Sequence, residues 1–321
     1  MRRRQGGAAL LVVLLLAAVI AMLAMAMLDD IRFGLRSTGN AQAMQQARRY
    51  ALGSEALARA RIGELARERA DPAQWQGKPL LFPIQHGLIR ARLRDASTCF
   101  NLNSVVEGAP GFWQRRPQGV EQYVALLQAL EFSAAQAQAL ADALADWIDS
   151  DDQRAPLGAE DGSYAAQSPA YRTAATLLAE PSELRAIRGY DAQAYARLRP
   201  HVCALPLGGP APVNVNALEP AQAPVLSMLT LGTVTPDRAR AILAARPAGG
   251  WPDPTTFWAQ PALAAAGVPN SVYDQAVLRS QWFALDSEVE YAGAQVVMNS
   301  LLQIDNAGRV RLHARRWTPE E

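Results

Sequence analysis

The stretch MRRRQGGAALLVVLLLAAVIAMLAMAMLDD, residues 1–30, decides how the rest of the chain is arranged. It places a cationic head, Arg2 to Arg4, ahead of an apolar run from Ala8 to Leu28 that ends at two aspartates. An apolar helix of about 20 residues, at a rise of about 1.5 Å per residue, spans a bilayer core. Because basic residues favour the cytoplasmic side, the sequence predicts one membrane helix over residues 8–28 and export of everything after it.

The junction between Gly7 and Ala8 lies after the basic head and before the apolar run. It resembles the cleavage site of type IV pilin-like precursors, in which a membrane peptidase removes the leader, here residues 1–7, and leaves the apolar helix on the mature protein. Two other interpretations stay open. The segment AMAMLDD, residues 24–30, offers a small-residue site for removal of the whole run as a signal peptide, and the run could also be a plain uncleaved anchor.

Val12 is the fifth residue after that junction. Most pilins with this pattern carry a glutamate there, which pairs with the N-terminal amine of a neighbouring subunit. An unpaired carboxylate in lipid costs several kcal/mol, so Val12 avoids the cost and gives up the pairing with the subunit ahead. We expect such a subunit at the end of a fibre.

Length, charge and cysteine content limit the number of domains, the class of partner and the disulfide bonding that the remaining chain can have. At about 150 residues per domain, 321 residues suggest two exported units behind the anchor. With a formal net charge of +1, the chain has no strong electrostatic field that would attract nucleic acid or anionic lipid. Cys99 and Cys203 in an oxidising compartment most simply form one disulfide; two buried thiols are the alternative, and no C-x-x-C pattern occurs.

Both ends of the exported chain predict one α+β domain, residues 29–99 and 280–321. Apolar spacing of three, four and seven from Met44 to Leu65 predicts a helix over about 29–70 with one packing stripe. Alternation in residues 87–98 predicts a strand, and three more strands are predicted over 282–291, 294–304 and 310–317. A long N-terminal helix on a small antiparallel sheet is the architecture of pilins.

The intervening residues 100–279 are alanine-rich and predict an inserted all-α domain. Helical spacing marks residues 120–130, 134–149, 217–229 and 235–246, with Ser133, Asn216 and Thr235 as expected N-caps. The phrases FNLNSVV (100–106) and VNVNALEP (213–220) are alike, and the second asparagine of each is placed to cap a helix. An internal duplication of a small helical unit follows as a hypothesis.

The second unit, about residues 213–262, resembles SAM-like or helix-hairpin-helix modules, some of which bind DNA phosphates through a glycine-rich turn. The two glycine positions of that turn are Thr233 and Thr235 here. Their side chains would obstruct the close approach of backbone N–H groups to a phosphate. A structural role without nucleic acid is therefore the favoured interpretation.

An acidic phrase, ADWIDSDDQRAPLGAEDGSY, covers residues 145–164. Carboxylates at a helix C-terminus oppose the macrodipole and repel one another. One interpretation is a solvated loop with Arg154 as counterion. The other is a hard cation such as Ca²⁺, which takes six to eight oxygen ligands. The spacing is not that of an EF-hand, and no soft ligand for zinc is near.

Together, the basic head with Gly7-Ala8, the missing glutamate at Val12, the phrases FNLN and VNVNA, and DWIDSDD followed by GAEDGSY resemble the K family of type II secretion minor pseudopilins, the general secretion pathway protein K family. The resemblance covers essentially the whole chain. It implies a pilin-like fold with a large inserted α-domain, an inner-membrane anchor with the bulk in the periplasm, and processing by prepilin peptidase. It also implies assembly with the minor pseudopilins I and J, and through them the other pseudopilins, at the tip of a pseudopilus that exports proteins across the outer membrane.

The resemblance also implies structural calcium in the α-domain. Combined with the charge argument, it gives these candidate ligands: Asp149, Asp151, Asp152, Glu160 and Asp161.

Enzymatic function finds little support. The three histidines, His86, His201 and His313, are scattered, and no P-loop, G-x-S-x-G or H-E-x-x-H motif occurs. Two alternatives to a non-enzymatic fibre subunit remain as hypotheses: a membrane-anchored DNA-uptake protein built on the hairpin modules, and a calcium-dependent periplasmic hydrolase using the acidic loop.

Overall fold

The computed structural model describes residues 6–318, with side chains from Ala9 onward, so residues 1–5 of the predicted leader lie outside the described residues. The helices lie, in chain order, at α1 Gly6–Glu68, α2 Pro72–Trp75, α3 Pro117–Ala129, α4 Ala134–Ile148, α5 Asp161–Tyr164, α6 Ala192–Leu198, α7 Ala223–Leu229, α8 Pro236–Ala244, α9 Pro254–Trp258, α10 Pro261–Ala264 and α11 Asn270–Tyr273. The strands lie at β1 Pro79–Ile84, β2 Gly87–Asp95, β3 Phe100–Asn101, β4 Val106–Ala109, β5 Phe112–Arg115, β6 Val202–Cys203, β7 Val213–Asn214, β8 Ala276–Val277, β9 Trp282–Tyr291, β10 Ala294–Ile304 and β11 Val310–Arg316.

Helix α1 joins the predicted membrane segment and the predicted packing helix in one rod of 63 residues. At about 1.5 Å per residue its length is roughly 95 Å. Among the described residues it is long and apolar enough to cross a membrane. The side chains of its apolar half, from Leu10 to Leu35, are exposed.

The second half of α1 packs on the sheet. Ala47, Ile62 and Leu65 of the predicted stripe are buried, whereas Met44 is 38% exposed and the residue before it, Ala43, is buried in its place. Glu55, which the apolar pattern did not place on the stripe, is also buried. The contact between helix and sheet therefore has a polar part.

The sheet has five strands in the order β1-β2-β9-β10-β11, all antiparallel. Four of them are the predicted strands. The edge strand β1 was missed because it has no polar alternation and contains Pro79 and Pro83. Ile84 and Gly87 close a two-residue turn, so the two prolines lie at positions facing the free edge, where they offer no N–H to another strand.

The inserted segment has its own hydrophobic core, separate from the core between α1 and the sheet. Helices predicted over 120–130, 134–149 and 235–246 correspond to α3, α4 and α8. The one predicted over 217–229 begins later, at Ala223, after a 3₁₀ turn over Pro220–Gln222. The fold class is thus confirmed: α+β, with a pilin-like helix on an antiparallel sheet and a large helical insertion.

Two parallel strand pairs organise the insertion. Phe100 and Asn101 of β3 pair with β6, and Val213 and Asn214 of β7 pair with β8 in the same way. Each pair begins with one of the two similar phrases, FNLN or VNVN. The insertion therefore contains two units that are closed in the same manner.

The predicted capping roles of the asparagines are wrong. The first asparagine makes the local cap: the Asn101 and Asn214 side chains accept from the backbone N–H groups of Asn103 and Asn216, two residues later, at 3.3 and 3.1 Å. The second asparagine is buried and binds backbone that is distant in sequence. A capping side chain needs to be only two or three residues from its target, and both positions meet that condition in the sequence.

Cys99 and Cys203 are joined by a disulfide, with their Cα atoms 5.8 Å apart across 104 residues of sequence. The bond lies at the β3–β6 pair, where the chain leaves the sheet. Nearby, the fully buried Asp95 accepts hydrogen bonds from Ser97, Asn214 (2.6 Å) and Ser280 (2.5 Å). Because Ser280 precedes the returning strand β9, Asp95 connects the departing and returning chain with the second unit.

Candidate functional site

The acidic site is built on the C-terminal half of α4. Ser133 begins the helix with a capping box completed by Gln136, and the helix ends at Ile148, with Asp149 as its C-cap. Asp142, Asp146 and Asp149 are spaced by four and three residues, which places them on one face of the helix. All three are buried, at 2%, 1% and 4% exposure.

Two of these carboxylates have partners. Asp142 forms an ion pair with Arg115 of β5 and accepts a 2.8 Å hydrogen bond from Gln138. Asp146 accepts from the backbone N–H of Ala155 at 3.1 Å. A Cβ at Gly158 would lie 2.0 Å from an Asp146 oxygen, so only glycine fits there. The loop after α4 is thereby folded back over the helix.

Asp149 and Glu160 are different, because each has a buried oxygen without a hydrogen-bond donor: Oδ1 of Asp149 and Oε1 of Glu160. Burial, followed by repulsion from Asp151 and Asp146, raises the pKa of Asp149 to about 8. Burial, with repulsion from Asp146, raises the pKa of Glu160 to about 7. Each of these two carboxylates thus has one oxygen that is shielded from solvent and lacks a donor, close to other acidic side chains.

The other predicted ligands have separate surroundings. Asp151 is exposed, and its Oδ1 accepts from the Gln153 N–H at 2.8 Å. Asp152 is exposed in the loop after α4, and its negative charge contributes to the raised pKa of Glu160. Asp161 accepts from both the N–H and the hydroxyl of Thr173 at 2.9 Å, and these bonds lower its pKa. The structure therefore brings four of the five candidates into electrostatic contact and gives Asp161 a different partner.

The donor set fits a hard cation in its chemistry. Every ligand atom on offer is a carboxylate or backbone oxygen, and two buried carboxylate oxygens lack donors. A cavity of about 520 Å³ lies against Asp142, Asp146, Asp149 and Asp151. Among residues 6–318, no three His, Cys, Asp or Glu side chains converge closely enough to define a metal centre.

Sequence reasoning missed Asp142, Arg115 and Gly158. Asp142 could have been found, because its spacing of four from Asp146 places both carboxylates on the same helix face. Arg115 and Gly158 come from other segments, so their roles depend on how the hairpin β4–β5 and the loop fold back onto α4.

The remaining predicted positions lie elsewhere. Gly7 and Ala8 are within α1, with the Ala8 side chain outside the described residues, and Val12 is 57% exposed on the helix surface. In the α7–α8 hairpin, the Thr233 hydroxyl donates to the Thr230 carbonyl at 2.7 Å, and the Val234 N–H is bound by the Thr230 hydroxyl. Side chains of the turn itself thus occupy these backbone groups.

A membrane-length helix laid over an antiparallel sheet, with a helical insertion after the second strand of that sheet, is a pilin-like architecture. Two family models match the insertion: the first domain of type II secretion system protein K over residues 98–207, and the protein K model over residues 213–278. These two segments begin at the two asparagine phrases and end at the strands that pair with them.

Proteins similar to this chain belong to the same family as the two models. Type II secretion system protein K of Aeromonas hydrophila is 38% identical over 73% of this chain and 73% of its own length, and that of Klebsiella pneumoniae is 37% identical over 88% and 85%. The protein from Pseudomonas aeruginosa is 34% identical over 92% and 88%. The crystal structure of the GspK-GspI-GspJ complex from enterotoxigenic Escherichia coli contains a chain that matches with a TM-score of 0.73 at 32% identity, covering 88% of this chain and 99% of that chain. The chain belongs to the type II secretion system protein K family and is a minor pseudopilin.

Proposed function

We propose that this minor pseudopilin is a non-enzymatic subunit that sits at the tip of the type II secretion pseudopilus and helps initiate its assembly and protein export. The observation that carries the proposal is the exposed apolar half of α1, from Leu10 to Leu35. Among the described residues it packs against nothing outside its own helix, so it needs lipid before assembly and the stems of other subunits after it. The inner membrane would hold the anchor, and the periplasm the folded part.

The expected partners are the minor pseudopilins I and J. Support comes from the related solved structure, which is a complex of K, I and J proteins. The other pseudopilins would be reached through these two, and prepilin peptidase would cleave between Gly7 and Ala8.

Tip placement is supported by two features. Val12 offers no carboxylate to the subunit ahead, so upward pairing is lost. The helical insertion adds its own core beside the sheet, a bulk that fits the end of a fibre more easily than a packed shaft.

We further propose that the acidic site binds structural calcium, with Asp149, Asp151, Asp152 and Glu160 as ligands and Asp161 joining after release from Thr173. The support is the pair of buried oxygens without donors and the raised pKa values around them. When bound, the cation would offset the repulsion at the C-terminus of α4 and fix the loop that follows.

Substituting Val12 tests the tip assignment. Val12→Glu should let the subunit pair upward, so gold labelling of assembled fibres should find it along the shaft as well as at the end. Val12→Leu is the matched control and should stay at the end. N-terminal sequencing of the mature protein gives an independent check: a first residue of Ala8 is expected, whereas Met1 or a start near Asp29 would contradict pilin-like processing.

A further inference from the structure

A cleft of about 720 Å³ lies at the end of α1 farthest from the membrane segment. One side is the last turns of α1 and the segment through α2, and the opposite side is the loop around Trp251 in the second helical unit. The turn between β10 and β11 closes a third side. Its volume is within the range of about 300–1,000 Å³ that is usual for ligand sites.

The inner surface of the cleft has an apolar part, formed by the half-buried side chains of Trp75 and Ile304. The buried Phe283 packs behind Trp75, with ring centroids 5.5 Å apart. The indole N–H of Trp75 is buried without an acceptor. Such a surface gains free energy by burying an apolar side chain of a ligand.

The rim of the cleft is cationic. Arg67, Arg69 and Arg279 are exposed, and within the described part of the chain none of them is joined to a carboxylate. The two acidic residues of the rim are already engaged. Asp71 accepts from the Ala73 N–H at 2.9 Å, and Asp305 pairs with two other arginines, at 3.0 and 3.6 Å. The rim therefore carries three exposed arginines against one aspartate, Asp71, that has no arginine partner, and this excess of positive charge favours an anionic partner.

Distance from the bilayer decides between a lipid and a protein as the source of that anion. The cleft contacts α1 at Leu65, and the apolar run ends at Leu28. At about 1.5 Å per residue, roughly 55 Å of helix separates them. A bilayer lipid does not reach that far from the membrane surface, whereas a segment of another exported protein does.

We propose that this cleft binds an extended acidic segment of another protein, placing an apolar side chain on Trp75 and its carboxylates beside Arg67, Arg69 and Arg279. Arginine suits this role because its planar guanidinium binds a carboxylate through two hydrogen bonds. The proposal does not depend on the position of the subunit in the fibre.

The test uses the full chain in phosphatidylcholine nanodiscs and a fluorescein-labelled peptide of alternating glutamate and phenylalanine, read by fluorescence anisotropy. We expect saturable binding that weakens at high salt. The same peptide with lysine in place of glutamate should not bind.

Two variants of the cleft and one control variant outside it locate the binding. The double variant Arg67→Glu and Arg279→Glu should weaken binding by about tenfold or more, because it reverses two rim charges. Arg238→Glu, an equal charge change on exposed α8 outside the cleft, should leave binding unchanged. Ala66→Trp, at an exposed position lining the cleft, keeps every charge and should abolish binding by filling the space.

The proposal is overturned if the lysine peptide binds as well as the glutamate peptide, or if the rim and Ala66 variants bind like the unmodified chain. Displacement of the glutamate peptide by a soluble short-chain phosphatidylglycerol, at equal or lower concentration than by unlabelled peptide, would instead make the cleft a lipid site.

Discussion

At the scale of residues, the buried asparagines hold each helical unit together. Asn103 donates to the Leu178 and Leu205 carbonyls at 3.0 and 2.8 Å and accepts from the Leu178 N–H at 2.8 Å. Asn216 binds the backbone of Trp251 and Leu278 in the same way. In both units one amide side chain satisfies backbone groups that would otherwise be buried without partners.

Asn103→Ala should therefore be among the most destabilising polar substitutions in the chain. It removes three buried hydrogen bonds, at about 1 kcal/mol each, for a loss of about 3 kcal/mol in the free energy of unfolding. Urea denaturation measures it. Asn299→Ala, which removes one exposed hydrogen bond to the Thr318 carbonyl, is the control and should change stability little. Equal effects of the two substitutions would contradict this role.

The acidic site predicts an unusual pH dependence. Without a bound cation, the folded-state pKa values of about 8 for Asp149 and about 7 for Glu160 exceed the ordinary unfolded values near 4. The unfolded chain thus loses these protons at lower pH than the folded chain. The free energy of unfolding should fall as the pH rises from about 4 and level off above about 8.

Bound calcium should prevent this fall in the free energy of unfolding. The melting temperatures measured in EDTA and in calcium should therefore diverge progressively between pH of about 5 and about 8. Asp149→Asn should flatten the pH dependence in EDTA and reduce the calcium effect. Asp237→Asn, on the exposed face of α8, is the control. Melts that coincide in EDTA and calcium across this range would refute the calcium proposal.

At the scale of elements, the pairing of α1 with the sheet depends on a buried polar contact. Glu55 receives hydrogen bonds from Arg315 at 2.7 and 2.9 Å and from Ser300 at 3.0 Å. Burial alone would raise the pKa of Glu55, but these bonds and one from Arg59 outweigh it and lower the pKa. Since an apolar stripe can slide by one helical turn, this contact fixes the register of helix on sheet.

Glu55→Ala should cost about 3 kcal/mol, the low end for breaking a buried ion pair, because Arg315 and Arg59 remain partly exposed. Glu64→Ala, from an exposed pair with Arg61, should cost less than about 1 kcal/mol. Chemical denaturation compares the two. Because the folded pKa of Glu55 lies below the unfolded one, its contribution should be full above a pH of about 4 and disappear as the pH falls through the folded pKa.

At the scale of the whole molecule, the Cys99–Cys203 disulfide and the hydrogen bonds that converge on Asp95 hold the helical insertion to the pilin-like part. Polar contacts such as the Arg316–Glu180 ion pair, at 3.5 Å, add to them. The disulfide closes a loop of 104 residues at the start of the insertion.

Reduction of this disulfide, or the double variant Cys99→Ser and Cys203→Ser, should lower stability by about 4 to 5 kcal/mol in the loop-entropy description. Unfolding of the oxidised and reduced full chain measures the difference. The single variant Cys203→Ser tests the pairing itself: it should leave one thiol that reacts with a maleimide under denaturing conditions, whereas the unmodified oxidised chain should show none.

The sequence by itself determined the long apolar N-terminal helix, the four strands of alternating pattern, the main helices and the acidic phrase, because these depend on local composition and on spacings of two or of three to four residues. Only the tertiary structure decided what Asn103, Glu55 and Asp142 do, since their partners lie 75, 245 and 27 residues away along the chain. Only the tertiary structure shows that residues 79–84 form strand β1, because this apolar segment is defined by the strand it pairs with. The cationic cleft also appears only there, since its walls come from segments far apart in sequence. Local patterns fix elements, while burial, pKa and cavities arise from how the elements pack.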